Sequence, residues 1–157
     1  MESRKRVLPP EVLMEEYREL LQQEEIEALP LIISGNSMSP FLIHGRDTVY
    51  LSRLTRPARR GDVLLYRRTG GAYILHRVYR VERDSYTMVG DAQAVLEPGI
   101  RPEQVIAVMT SALRKGKRQG PGCFWWEFFE KVWIRMVPVR SGVRRAYTVI
   151  ARMFRRR

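Results

Sequence analysis

Val63 to Val81 reads VLLYRRTGGAYILHRVYRV. Two runs rich in Val, Leu, Ile and Tyr flank Gly70-Gly71, which predicts strands over Val63–Arg67 and Tyr73–Val81 with a turn between them. The same signals continue outward in both directions. Leu31–Ser34, Thr48–Leu51, Tyr86–Val89 and Val105–Ser111 are further short apolar runs, punctuated by Gly45, Gly61, Gly90 and Pro98-Gly99. Short strands at this spacing predict a mainly β fold, a small coiled β-sheet or barrel.

Both ends of the chain read as helical. From Pro10 to about Ala28, Pro10 suits a first helical position and Glu11, Glu15 and Glu16 suit the N-terminal turns. Leu13, Tyr17, Leu20 and Leu21 form one apolar face there, and Pro30 marks the end. After the Gly/basic stretch RKGKRQGPG the composition changes to CFWWEFFEKVWIRMVPV, where Trp125, Phe129, Val132 and Met136 recur at helical spacing. Pro138 is expected to end or kink this helix, and a second, basic helix is expected over Val143–Met153. The predicted organisation is therefore an acidic helix (1–30), a β domain (31–113), a linker (114–122) and an aromatic-basic helical tail (123–157).

Charge is unevenly distributed. Of the net +11 on 157 residues, residues 1–27 carry −4, residues 28–113 carry +4 and residues 114–157 carry +11. A basic tail on a mildly charged middle suggests an appended surface-binding element rather than a basic groove. Two readings of the tail aromatics stand side by side. They pack on the β domain as core, or they lie in a membrane interface, where Trp, Phe and Arg are favoured next to anionic lipid. A nucleic-acid-binding barrel is the weakest reading of the charge, because the strands carry no aromatic-basic stripe.

Cys123 is the single cysteine, which excludes an internal disulfide, and with only His44 and His76 as histidines no metal cluster is expected. The start MESRKR runs into acidic sequence rather than an apolar signal segment, and no run of about 18 apolar residues is present to span a bilayer.

ISGNSMSPFL, from Ile33 to Leu42, places Ser34, Ser37 and Ser39 on one turn. A serine hydroxyl becomes a useful nucleophile only beside a positioned base. His76 lies within a strand and His44 beside a turn glycine, where a solvated turn residue is expected. Composition does not choose among the three serines.

SGNSMSPFL, RRGDVLLYR, ILHRVYRV and MVGDAQAVLEPG, in that order over about Leu31 to Leu113, resemble the boxes of type I signal peptidases. The branch with a Ser–His pair is the nearer likeness, and LexA-like peptidases share the fold group. The resemblance implies Ser37 as nucleophile and His76 as general base in acyl transfer. It places Ser37 and Met38 at the oxyanion and substrate-binding turn, with the Ser37 N–H as donor and Met38 packed beneath. Asp91 matches the family's Gly-Asp box, and Glu97 stands where the family has a second aspartate. Glu97 is then the third triad candidate and Asp91 a structural or supporting carboxylate, with the choice of His76's orienting group left open. Arg77 is expected at the surface or in an ion pair.

The implied partner is an extended peptide or pre-protein cut after small residues, without metal or cofactor. The family's apolar N-terminal anchor has no counterpart here, so a compact member, cytoplasmic or peripheral at a membrane through its tail, is expected. Glu97 and the missing anchor also fit a catalytically inactive peptide-binding module on the same fold.

Overall fold

The computed structural model describes residues 10–140 and 142, and the helix expected at 143–153 lies outside them. Helix α1 (Pro10–Leu21) precedes strands β1 (Leu29–Ile32), β2 (Thr48–Ser52), β3 (Val63–Arg67), β4 (Tyr73–Val81) and β5 (Tyr86–Val89). Strands β6 (Glu97–Ile100), β7 (Val105–Arg114) and β8 (Lys117–Gln119) follow, and then a helical segment beginning with α2 (Phe124–Glu127). One antiparallel sheet runs in the order β1-β2-β7-β3-β4-β5-β6, with β8 paired to the end of β7.

Strand β3 shows how one sheet serves two cores. Alternate side chains leave a strand on opposite faces. Val63 and Leu65 join Phe41, Leu42, Val49, Leu51 and Met109, whereas Leu64 and Tyr66 join Val78, Met88 and Ile100. Both faces are covered, which is why VLLY is apolar without alternation. Each such side chain contributes roughly 1.5–3 kcal/mol on full burial. Strand β7 pairs with β3 through its first half and with β2 through its second, and irregular register in both ladders bends the sheet.

The sheet stays open. Strands β1 and β6 are its edges and do not pair with each other among the described residues, so the barrel alternative is not realised. Both edges carry a proline, Pro30 and Pro98, which offers no N–H to a further strand. The helix stop expected at Pro30 and the turn expected at Pro98-Gly99 are instead parts of these two edge strands. Helix α1 ends earlier than Ala28, at the buried Leu21, where its apolar face gives way to Gln22, Gln23, Glu24 and Glu25. The stretch read as a linker contains β8.

The C-terminal segment continues from α2 through a π turn (Phe128–Val132) and a 3-10 turn (Trp133–Met136) into helical residues 137–140. Pro138 does not end it: the Ile134 carbonyl is taken by the Val137 N–H, and helical residues continue through 140. Phe129, Ile134 and Val137 are buried, and Phe129 and Trp126 meet Phe41 at ring-centroid distances of 4.8 and 6.2 Å. The core reading of the tail therefore holds for this flank. On the other flank Phe124, Trp125, Val132, Met136 and Val139 are exposed.

Candidate active site

The three serines lie on an excursion between β1 and β2. Its base is closed by Ile33 N–H to Asp47 O (3.0 Å) and Gly45 N–H to Ile33 O (2.9 Å). Met38, Phe41 and Leu42 plug the turn into the first core. Ser37 is therefore held directly before a buried anchor, Met38, which packs beneath the turn as expected. Gly35 supplies the positive φ of 86° that the turn needs.

Two braces of this turn were not foreseen. His44 is exposed, but its Nδ1 accepts the Gly35 N–H at 2.9 Å. Buried Asp47 accepts the Ile43 N–H at 2.9 Å and two bonds from Arg46 at 2.7 Å each. Burial pushes the Asp47 carboxyl up, but Arg46 and the backbone donors outweigh it and hold the group below its ordinary range. Only the short spacing from Ile43 to Asp47, an Asx-type bond back to the turn, hinted at this role.

A second loop clasps the turn from the other side. The Ala92 N–H donates to Ser37 O at 2.9 Å, and a Cβ on Gly90 would come within 2.5 Å of that same oxygen. Trp133 Nε1–H donates to Asp91 O at 2.9 Å, and Arg140 Nη1 donates to Gln93 O at 3.0 Å and Gly90 O at 3.3 Å. Residues 90–93 are thus held between the serine turn and the C-terminal segment.

Asp91 faces Arg77, not His76. Arg77 Nε and Nη2 reach its carboxylate at 2.9 and 2.8 Å, and Nη1 donates to Gly61 O at 2.8 Å. Both residues are buried, so the expected ion pair of Arg77 is an interior one and not a surface one. Asp91 has the structural role of the two offered by the sequence.

His76 is 3% exposed on β4, and its Nδ1 lies 3.3 Å from Tyr66 Oη and 3.8 Å from Glu97 Oε2. The second distance is too long for a hydrogen bond. Tyr66 stands between them, donating its O–H to Glu97 Oε2 at 2.6 Å, while Arg68 holds Glu97 with two bonds of 2.5 and 2.7 Å. Glu97 therefore makes no direct hydrogen bond to His76, and the Tyr66 hydroxyl lies between the two. Burial lowers the His76 pKa from 6.5 to about 4, with Glu97 opposing, so the ring is neutral at pH 7. The Arg68 hydrogen bond holds the Glu97 carboxyl below its ordinary range despite partial burial. Desolvation and Glu97 raise the Tyr66 phenol, which stays protonated.

Among the described residues no hydrogen bond joins Ser37 Oγ to His76. Register still brings their surroundings together, since Val89 opposes Arg77 and the next residue, Gly90, packs on Ser37. Among the described residues His76 Nε2 has no protein partner, and it is not one of the sealed, unpartnered atoms found there, Ser111 Oγ, Arg114 Nε and Arg140 Nε. The N–H groups of Ser37 and Met38 donate to no described backbone or side-chain acceptor. Beside the turn lies a cavity of about 450 Å³ lined by Leu31, Ile33, Ser34, Leu65, Tyr73 and Leu75, among others. Two unpaired strand edges border it. Among the described residues strand β1 is an edge, and Tyr73–His76 of β4 pairs only with β3, because β5 begins its pairing at Arg77.

Comparison of the chain with protein-family models, with curated proteins and with solved structures finds no match.

Proposed function

We propose that the chain is a serine endopeptidase of the signal-peptidase type that cuts an extended leader or pre-protein after a small residue. The observation that carries this reading is a buried, neutral His76 whose Nε2 has no partner among the described residues, on the strand beside the loop that clasps Ser37. The substrate strand adds between the free edges of β1 and β4, with side chains entering the apolar cavity beside Ser34. Ser37 Oγ attacks the peptide carbonyl carbon as its proton passes to His76 Nε2. The carbonyl oxygen becomes an oxyanion facing the N–H groups of Ser37 and Met38. His76 then returns the proton to the leaving amine as the C–N bond breaks, and water releases the acyl group. General base catalysis of this kind contributes about 10²–10⁴-fold, and each oxyanion donor about 3 kcal/mol.

The missing Ser37–His76 hydrogen bond favours one second reading, a peptide-binding module that uses the same open edges without cleavage. Incubation with Ala-X-Ala peptides and a pre-protein, followed by mass spectrometry, separates the two. Cleavage lost in Ser37→Ala supports the peptidase. Tight peptide binding with no cleavage supports the module, and cleavage that persists in Ser37→Ala removes the mechanism.

The exposed flank of the C-terminal segment supports peripheral docking on an anionic membrane. Phe124 and Trp125 are 71% and 48% exposed, and Arg114 lies 5.9 Å from the Trp125 ring at the basic β7–β8 hairpin. Lys131 and Arg135 are exposed on the same segment. No helix among the described residues is long and apolar enough to cross a membrane. Flotation with vesicles containing phosphatidylserine should fall in the double variant Phe124→Ser/Trp125→Ser, and unchanged flotation rejects this surface.

A further inference from the structure

We propose that Tyr66 is the positioning residue for His76, fixing the imidazole with its proton on Nδ1 and its free lone pair on Nε2. The inference rests on the peptidase reading for its catalytic meaning, but its geometry is independent of any substrate.

The assignment follows from proton counting. Tyr66 Oη has one proton, and the carboxylate of Glu97, clamped by Arg68, can only accept. The phenol proton therefore points at Glu97, over 2.6 Å, and the oxygen turns a lone pair toward His76 Nδ1 at 3.3 Å. A neutral ring beside an acceptor places its single proton on Nδ1. Nε2 is left as the base.

Strand register builds the arrangement. On β3 and β4, Leu64 opposes His76 and Tyr66 opposes Ile74, so Tyr66 is the same-face diagonal neighbour of the histidine, within reach of a long side chain. Tyr66 is fully buried and His76 nearly so, which excludes bulk water as a competing partner at Nδ1. In the acyl-transfer step the serine proton joins Nε2 and the Nδ1–H stays in place. The resulting imidazolium is held by the phenol oxygen, whose dipole is aligned by Glu97. No proton moves along the Tyr66–Glu97 bond, so Tyr66 acts through His76 and never on the substrate.

The two histidines of the chain make this measurable. His44 accepts the Gly35 N–H at Nδ1 and so carries its own proton on Nε2, the opposite tautomer. Nitrogen-15 NMR of histidine-labelled protein at pH 7, assigned with His76→Gln and His44→Gln, should show one ring of each kind. In Tyr66→Phe the Nδ1–H preference of His76 should be lost while His44 is unmoved. Should that variant not fold, Glu97→Leu serves instead, at a partly exposed position. With its acceptor gone, the Tyr66 proton turns to Nδ1 and His76 should change to the Nε2–H form, although Glu97 never bonds the ring. In peptide cleavage, Glu97→Leu should lower kcat by about 10²-fold or more with KM little changed, because the base is in the wrong tautomer. A wild-type His76 carrying its proton on Nε2, or a tautomer indifferent to both substitutions, overturns the proposal. Correct tautomers in a protein that cleaves nothing would instead overturn the peptidase reading and leave the positioning intact.

Discussion

Asp91 and Glu97 were rivals for one role, and their stability effects should differ sharply. Asp91→Asn removes one charge of an interior pair in which both partners are buried, and leaves Arg77 with the Gly61 carbonyl, the face of Phe41 and a neutral amide. Breaking such a pair from one side costs about 3–5 kcal/mol, because the remaining charge is desolvated without compensation. For a chain of this size that is a fall of roughly 6–20 °C in Tm, at about 2–4 °C per kcal/mol. Glu97 pairs with an Arg68 side chain that is 42% exposed, so Glu97→Gln should cost no more than about 1 kcal/mol. Urea and thermal unfolding at pH 7, followed by tryptophan fluorescence, measures both. The double variant Arg77→Met/Asp91→Leu should be less destabilised than the sum of its single changes, since no lone charge remains. Additive costs, or an Asp91→Asn loss below about 1 kcal/mol, would refute an interior ion pair that holds loop 90–93.

Three other outcomes follow from the same geometry. Between pH 6.5 and about 4 the native state binds fewer protons than the unfolded chain, because His76 stays neutral. Stability should therefore fall as pH drops through that window, by up to about 3 kcal/mol, and urea melts of His76→Gln should show a shallower slope. Gly90→Ala drives a Cβ against Ser37 O, with the contact at 2.5 Å, and should cost about 1–3 kcal/mol together with most of the activity. An unperturbed Tm for this variant would mean that the two loops do not touch. Trp133→Phe loses the bond to Asp91 O and trims the indole that packs on Phe129 and under Arg140, so a loss of at least about 0.5–1.5 kcal/mol is expected from unfolding curves.

Much of the sheet was legible because β3, β4 and β5 announce themselves by β-branched and aromatic runs between glycines. Strand β6 did not, because Glu97, Pro98 and Gly99 have low strand propensity and form an edge through pairing with β5 rather than by preference. The open sheet was hidden for the same reason, since closure is decided at edges where local signal is weakest. At the site, Met38 burial, a structural place for Asp91 and an ion pair for Arg77 agree with what the sequence led one to expect, although nothing in it paired Asp91 with Arg77. Tyr66 went unnoticed because tyrosine in VLLYR reads as an ordinary strand residue. Its role depends on Arg68 and Glu97, which lie 29 residues apart and meet only through the β3–β4–β5–β6 pairing. The brace from His44 was likewise lost in a motif that reads as a solvated turn.

The central claim is that Ser37, of three serines on one turn, is the nucleophile. Its most direct test is rapid-quench mass spectrometry after mixing with an activated ester of an Ala-X-Ala peptide. Tandem fragmentation should locate one acyl group on Ser37, absent from Ser37→Ala and slow to form in His76→Gln. An acyl group on Ser34 or Ser39, or hydrolysis undiminished in Ser37→Ala, would contradict the account.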